Sequence, residues 1–357
     1  MADASVKGTS PFRPEVLSKI SRLELRARYV ADGFLAGMHR SPYKGFSVEF
    51  ANHRAYVPGD DLRHLDWRVY AKADRLYVKE YEVDTNLRTY LLLDGSQSMA
   101  YPQHPVDGRM TKWEYASTAA ASLAHLLLSQ QDAVGLVLFD GHQHQTWPSS
   151  TRRATLTPLA EAIEACGEQM RVSQTGATGG LSTSAGARDL AAGNTAHRSP
   201  PALVDKPPVA PGDITADAGA TGAVLRRLAE DLPKRSMVVI LSDLLSDPEA
   251  IIGGLRTLRH RQKDILVLHI LDSDELTFPF DERTRFVGLE RSDLGVSIDP
   301  QSLRRAYLDA VEQFVARIRT ACLNTQIDYA LLSTDEPLDV ALSTFLARRM
   351  HWLRSKV

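Results

Sequence analysis

Short apolar runs alternate with amphipathic segments along most of the chain. Runs without internal alternation are typical of strands buried on both faces, and three of them lie at 90–93, Ala133–Phe139 and 236–241. Helices are predicted over 112–131, 155–170, 216–231, 248–262, 303–323 and 337–353, and further β-strands over 143–147, 264–271, 285–296 and 327–333. Strands that alternate with helices in this way predict an α/β fold with a doubly wound, mostly parallel sheet.

The residues before the first buried strand follow another pattern. Apolar positions recur at near-helical spacing over 14–38, which predicts an amphipathic helix with a break near Gly33. An extended segment is predicted over 75–83. We therefore expect a smaller N-terminal α/β extension over residues 1–87 and the sheet domain over residues 88–357.

One segment of the sheet domain has a different composition. Gly, Ala, Ser, Thr and Pro dominate residues 172–212, so this segment has too little apolar surface to offset its ordering entropy. The helix and strand pattern resumes after it. The sequence therefore predicts a disordered insertion there and not a domain boundary.

Composition narrows the class of protein. The 357 residues carry 42 basic and 44 acidic side chains, a formal net charge of −2, which gives no electrostatic footprint for nucleic acid. No apolar run approaches the roughly 18 residues of a membrane span, and no basic-then-apolar signal region opens the chain, so a cytoplasmic protein is expected. The two cysteines, Cys166 and Cys322, are predicted to be buried free thiols within helices.

The main candidate for chemistry is the loop after the first buried strand. It reads Asp94-Gly95-Ser96-Gln97-Ser98, and ligands of open α/β sheets bind beyond the carboxyl ends of strands. One carboxylate and two hydroxyls at alternate positions form a set of hard oxygen ligands that suits Mg²⁺. The alternative is that these short polar side chains cap the next helix.

This D-x-S-x-S pattern resembles the metal-ion-dependent adhesion site (MIDAS) of von Willebrand factor A domains. The resemblance implies that a Thr and an Asp from two later loops complete the site, together with an acidic residue of a partner protein. It implies Asp243 as the second acidic member, unless Asp243 only caps the helix that follows it. For the threonine, Thr215 is the first choice and Thr221 the alternative, because a gapless alignment puts Gly219 at that position.

Three motifs resemble a longer family pattern. They are G-F-S-V-E-F at 45–50, R-A-Y-V-P-G-D-D-L-R-H-L-D-W at 54–67 and D-G-S-Q-S-M at 94–99. In this order they are similar to the bacterial domain of unknown function 58 family. The resemblance implies a von Willebrand A-like domain that works with MoxR-type AAA+ ATPases. The second motif is expected to form an ion-pair network that locks the N-terminal region, with partner binding as the alternative.

We therefore expect a non-enzymatic protein-interaction module. Its Mg²⁺ or Mn²⁺ would bind an acidic residue of a MoxR-type ATPase or of a client protein. A metal-free scaffold is the first alternative, because the threonine is displaced. A hydrolase is the second, but a phosphatase would need a carboxylate where Ser96 stands, and the G-x-S-x-G elbow of a serine esterase is absent from this loop. His142 and His144 are expected to be exposed edge residues, and His269 a packed strand histidine.

Overall fold

The structure, a computed structural model, describes residues 13–40, 53–55, 77–79, 88–102, 109–141, 144–178, 220–261, 263–280, 284–287, 295–298 and 300–345. It divides the chain into two compact units. The larger unit joins Met1–Phe34 to Leu87–Val357, and the smaller unit is Leu35–Asn86. In the smaller unit, the described strands β1 (His53–Ala55) and β2 (Tyr77–Lys79) pair antiparallel.

One limit of the smaller unit, Asn86, lies next to the predicted boundary at residue 87, and the chain up to Phe34 is grouped with the sheet unit. Helix α1 (Pro14–Leu17) and the first part of α2 (Leu23–Arg40) bury one set of apolar side chains, among them Leu17, Leu23 and Val30. The Arg26 guanidinium donates to Thr118 Oγ1 at 3.1 Å, and the backbone N–H of Leu23 donates to Glu164 Oε1 at 2.8 Å. The helical pattern over 14–38 is interrupted between α1 and α2, and not near Gly33, which lies inside α2.

The larger unit is built on a six-stranded sheet. Its order is β10-β7-β6-β3-β4-β5, in which only the edge strand β5 runs antiparallel to its neighbour. The strands are β3 (Arg88–Asp94), β4 (Ala133–Phe139), β5 (His144–Ser150), β6 (Met237–Ser242), β7 (Asp264–Leu271) and β10 (Asp328–Ser333). A further antiparallel pair, β8 (Thr284–Val287) and β9 (Gly295–Ile298), replaces the single excursion predicted over 285–296. The predicted doubly wound, mostly parallel sheet is confirmed.

Helices connect and cover these strands. They are α3 (Lys112–Ser129), α4 (Leu156–Thr178), α5 (Ala220–Asp231), α6 (Pro248–His260), the short α7 (Ser273–Thr277), α8 (Pro300–Asn324) and α9 over 338–345. One core cluster packs α5, α6 and α8 against strand residues such as Leu92 and Ile240. Alternate residues of a strand face opposite ways, so Leu91 and Leu93 face the other side of the sheet, and α3 contacts β3, β4, β6 and β7. In the part of the chain that the structure describes, none of the helices has the length and apolar character of a membrane span.

Two further predictions meet the structure only in part. Helix α4 continues to Thr178, so residues 172–178 are helical although they were predicted to begin a disordered insertion. The rest of that insertion lies outside the described residues, as does most of the 54–67 motif. Both cysteines are free thiols within helices, as predicted, but only Cys322 is buried, whereas Cys166 is partly exposed.

Candidate functional site

The two acidic residues singled out from the sequence lie at the same edge of the sheet. Asp94 ends β3 and Asp243 directly follows β6, and these neighbouring parallel strands pair Leu93 with Leu241. Both carboxylates are buried, with 3% of Asp94 and 1% of Asp243 exposed. Because parallel neighbours end at one edge, the crossover connections deliver both side chains to one rim, which we call the carboxylate rim.

The loop after β3 brings its hydroxyls close to Asp94. The backbone N–H of Ser96 donates to Asp94 Oδ1 at 3.0 Å, and the Ser242 hydroxyl donates to Asp94 Oδ2. The Oγ atoms of Ser96 and Ser98 lie 3.0 Å apart, where the chain enters a 3₁₀ turn over Gln97–Ala100. The structure therefore brings the predicted Asp94, Ser96 and Ser98 oxygens together in one turn.

The charge on Asp94 is disfavoured at this rim. Burial in the first place, and then the charge of Asp243, raise the pKa of Asp94 to about 7, although hydrogen bonds from Ser242 and Ser96 act in the opposite direction. Two acidic groups that share a buried rim cannot both ionise without cost unless a positive charge balances them.

One positive charge already lies at the rim, on a residue that the sequence did not single out. Lys112 Nζ lies 2.8 Å from Asp243 Oδ2 and 2.8 Å from Glu275 Oε1, and none of the lysine side chain is exposed. Burial disfavours the ammonium form of Lys112, but the two carboxylates outweigh this and raise its pKa. The second oxygen of Asp243, Oδ1, accepts the backbone N–H of Leu245 at 3.1 Å.

A second ion cluster continues the rim beyond β7. The Arg109 guanidinium donates to Asp272 Oδ1 at 2.5 Å and to Asp274 Oδ1 at 3.1 Å. Asp272 and Glu275 form a capping box around the start of α7, and the Thr334 hydroxyl donates to the other oxygen of Asp272 at 2.6 Å. The sequence carries a signal for this cluster, because D-x-x-E directly follows the buried strand β7, much as Asp94 ends the buried strand β3.

His269 is buried in β7 and forms a hydrogen bond with the backbone of Asp243. Its Nε2 lies 2.8 Å from the backbone oxygen of Asp243, and its Nδ1 lies 2.7 Å from the Tyr329 hydroxyl. Burial lowers the pKa of His269 to about 4, so its ring is neutral at pH 7, with Nε2 donating and Nδ1 accepting. It is a packed strand histidine, as predicted.

Of the two candidate threonines, one lies in the part of the chain that the structure describes. Thr215 lies outside the described residues, and Thr221 is a partly buried residue in the first turn of α5. Among the histidines expected at the sheet edge, His144 pairs with Asp231 at 3.2 Å, and His142 lies outside the described part of the chain.

The donor set at the rim decides which cation would fit. In the described ranges, no group of three or more His, Cys, Asp and Glu side chains is arranged to hold a metal ion. A cation here would therefore draw on hydroxyl oxygens as well as on a carboxylate, and Ser96 and Ser98 supply them beside Asp94. Such an all-oxygen set fits a hard ion such as Mg²⁺ or Mn²⁺ and does not suit a soft one.

A cleft of about 200 Å³ opens next to the Asp94 loop. It lies between α4 and the strands β4 and β5, with Gly95, Trp147 and Cys166 in its lining. A Cβ atom at Gly95 would lie 3.1 Å from Cys166 Sγ, so this glycine lets α4 approach the loop closely. Burial raises the pKa of the Cys166 thiol to about 11, and the charges of Asp140 and Asp94 act in the same direction.

Sequence comparison gives a family and two relatives of similar length. A family described as "Protein of unknown function DUF58" matches residues 52–316. The uncharacterized protein Rv1480 of Mycobacterium tuberculosis is 25% identical over 342 residues, which cover 94% of this chain and 90% of that protein. The uncharacterized protein Mb1516 of Mycobacterium bovis has the same identity and coverage.

The solved structures that match this chain have lower sequence identity. The conserved hypothetical protein BatB from Bacteroides thetaiotaomicron is 10% identical, with a TM-score of 0.34 over 73% of this chain and 98% of its own. The SpRpn10 VWA domain is 11% identical, with a TM-score of 0.32 over 72% of this chain and 93% of its own. At such scores these likenesses add nothing to the strand order and contacts described above.

Proposed function

This chain belongs to the DUF58 family, and we propose that it is a non-enzymatic protein-interaction module that binds its partner through a divalent cation. In this proposal Asp94, Ser96 and Ser98 hold Mg²⁺ or Mn²⁺ at the carboxylate rim. Asp243 contributes negative charge, and a threonine, Thr215 or Thr221, completes the set. A carboxylate of the partner then takes a remaining coordination position.

The observation that carries the proposal is the convergence of the Asp94 loop. A buried carboxylate and two hydroxyls lie in one turn, and the neighbouring Asp243 makes the unbalanced charge of Asp94 unfavourable. A divalent ion would supply a charge-based latch, because ligation between charged groups at a partly buried rim is strong and directional.

The same contacts favour binding over catalysis. The position two residues after Asp94, where a phosphatase would need a second carboxylate, carries the Ser96 hydroxyl, which lies against Ser98. Both ring nitrogens of the nearby His269 are engaged, by a backbone carbonyl and by a tyrosine hydroxyl. This histidine is therefore placed to support Asp243 and not to activate a serine.

The proposed partner is a MoxR-type AAA+ ATPase or a client protein that such an ATPase remodels. Support for this partner comes from the three sequence motifs alone. A pulldown of the ATPase with Mg²⁺ present, and again after chelation, tests it. If the latch depends on the metal, the protein captures the ATPase with Mg²⁺ present and does not capture it after chelation.

The test of the site is a Mg²⁺ titration followed by thermal shift and calorimetry. A ligand that binds only the folded protein raises its apparent stability, by about 2.7 kcal/mol at a hundred times Kd. We expect this stabilisation in the natural protein and its loss in Asp94→Ala. Asp140→Ala is the matched control, because Asp140 follows the neighbouring strand β4 and lies outside the proposed oxygen set.

A metal-free scaffold is the competing function, and one contact favours it. Lys112 already balances part of the charge of Asp243, so the rim has an internal cation. If the melting temperature of the natural protein does not respond to Mg²⁺ or Mn²⁺, the scaffold replaces the metal-dependent module.

A further inference from the structure

We infer that Lys112 is a built-in counter-ion that competes with a divalent cation for Asp243 and so sets the affinity of the carboxylate rim for Mg²⁺. This inference rests on the proposed function. A buried lysine thereby takes part in metal affinity and partner specificity.

The ammonium group of Lys112 is buried between two carboxylates. Its Nζ lies 2.8 Å from one oxygen of Asp243 and 2.8 Å from one oxygen of Glu275. The exposed fractions of the three side chains are 0%, 2% and 3%. Water therefore screens these charges little, and each of them acts strongly on any further charge at the rim.

Local structure does not account for a lysine at this position. Lys112 is the first residue of α3, where the helix dipole disfavours a cation. The helix start is already capped by Thr111 and Glu114, which exchange hydrogen bonds with each other's backbone. The contacts that stabilise a buried ammonium here are therefore the tertiary ones, to Asp243 and Glu275.

The ammonium and a divalent ion would draw on the same carboxylate. Asp243 Oδ2 faces Lys112 and Oδ1 accepts the Leu245 N–H, so an ion at the Asp94 loop shares Asp243 with a fixed positive charge. Repulsion between the two cations weakens Mg²⁺ binding in the free protein.

The same competition favours an acidic partner. With Asp243 balanced by Lys112, an ion held by Asp94 and two serine hydroxyls keeps a net positive charge. A carboxylate from a partner then adds to the binding of the ion, and by linkage the ion adds equally to the binding of the partner. Lys112 thus makes metal binding and partner binding depend on each other.

The experiment is a calorimetric Mg²⁺ titration of the whole chain in four forms. Lys112→Met removes the charge and keeps the length of the side chain, and we expect Kd to fall by about tenfold or more. Glu275→Gln removes one of the two carboxylates that Lys112 contacts. The charge of Lys112 is then less well balanced and repels Mg²⁺ more strongly, so we expect Kd to rise. The two variants therefore move the affinity in opposite directions.

Arg109→Gln is the control. It removes a positive charge from the same rim, but its guanidinium pairs with Asp272 and Asp274 instead of Asp243. We expect its Kd to stay within about threefold of the natural protein, because its charge is more exposed and is balanced elsewhere. Circular dichroism checks that each form is folded, and if Lys112→Met does not fold, Glu275→Gln decides the matter.

The outcomes separate the inference from the proposed function. If the natural protein binds Mg²⁺ and Lys112→Met binds it no more tightly, or Glu275→Gln binds it no more weakly, Lys112 does not compete and the inference fails alone. If Lys112→Met binds Mg²⁺ and the natural protein does not, the lysine takes the place of the ion, so the inference holds and the proposed function fails. If no form binds Mg²⁺, both fail.

Discussion

At the scale of single residues, the two buried carboxyl groups of the carboxylate rim, Asp94 and Asp243, have different partners. Asp94 is buried beside Asp243, and its hydrogen bonds come from the neutral donors Ser242 and Ser96. Asp243 by contrast has Lys112. The two acidic groups therefore differ in kind, since one is balanced within the fold and the other depends on protonation or on an added cation.

This difference predicts how Asp94→Asn changes stability with pH when a chelator is present. The raised pKa of about 7 means that the folded protein keeps a proton on Asp94 that the unfolded chain, with a carboxyl of ordinary pKa 3.8, has already released. Asp94 thus lowers the free energy of unfolding as pH rises from about 4 to about 7. The amide does not titrate, so the stability of Asp94→Asn relative to the natural protein should rise over this range, by at most about 1.4 kcal/mol per pH unit.

Urea denaturation of both proteins at pH 5, 6, 7 and 8 measures this difference. Other titrating groups are common to the two proteins and cancel in the comparison. Stability curves that stay parallel from pH 5 to 8 would show that the carboxyl of Asp94 is not perturbed in the folded protein.

At the scale of elements, α5 and α6 lie in close contact on one face of the sheet, and glycines allow it. A Cβ atom at Gly222 would lie 2.2 Å from the backbone oxygen of Ala250, and one at Gly254 would lie 2.9 Å from the backbone oxygen of Gly222. Real side chains do not tolerate such distances to backbone atoms. These two helices flank β6, so their packing positions the strand that delivers Asp243.

Substitutions of one glycine in α5 and one in α6 should therefore change the free energy of unfolding in opposite directions. Gly222→Ala forces α5 away from α6, and we expect a loss of about 1–3 kcal/mol in the free energy of unfolding, as is typical of overpacking. Gly253→Ala meets nothing closer than 3.6 Å, and it should gain up to about 1 kcal/mol from helix propensity. Chemical denaturation of the two variants measures both effects, and equal shifts would contradict the packing described here.

At the scale of the whole molecule, the chain leaves the sheet unit and returns to it. The helices before Phe34 pack with residues after Leu87, and the intervening Leu35–Asn86 forms a unit of its own. Leu23 and Val30 are buried against this larger unit, with 3% and 0% of their surfaces exposed. The sheet unit therefore depends on an N-terminal segment that is distant in sequence.

Leu23→Ala tests this dependence in the full chain. Truncation of a buried leucine costs about 2–5 kcal/mol, and the loss should appear in the unfolding of the sheet unit itself. Leu25→Ala on the same helix is the control, because Leu25 is 53% exposed and should change stability by less than about 0.5 kcal/mol. If both variants unfold like the natural protein, the N-terminal helices are not part of the sheet unit.

The sequence by itself determined the architecture and part of the site. Apolar runs without alternation indicate strands that must be covered on both faces, and the loop after the first of them carries Asp94, Ser96 and Ser98, so these residues could be assigned to the carboxyl-end edge of the sheet. The family resemblance added Asp243. Such patterns depend on residues close together in the chain, which is why the strands β4 and β7 were predicted with their observed bounds.

Tertiary structure alone decided how the charges at the rim are balanced. Lys112 is 131 residues from Asp243 in the chain and 163 from Glu275, and no local pattern relates them. By local rules a lysine at a helix start reads as an exposed or unfavourable residue, and only the fold turns it into a buried counter-ion. The interaction of two charges depends on the distance between them in space. For residues far apart in sequence, that distance is set only when the chain folds.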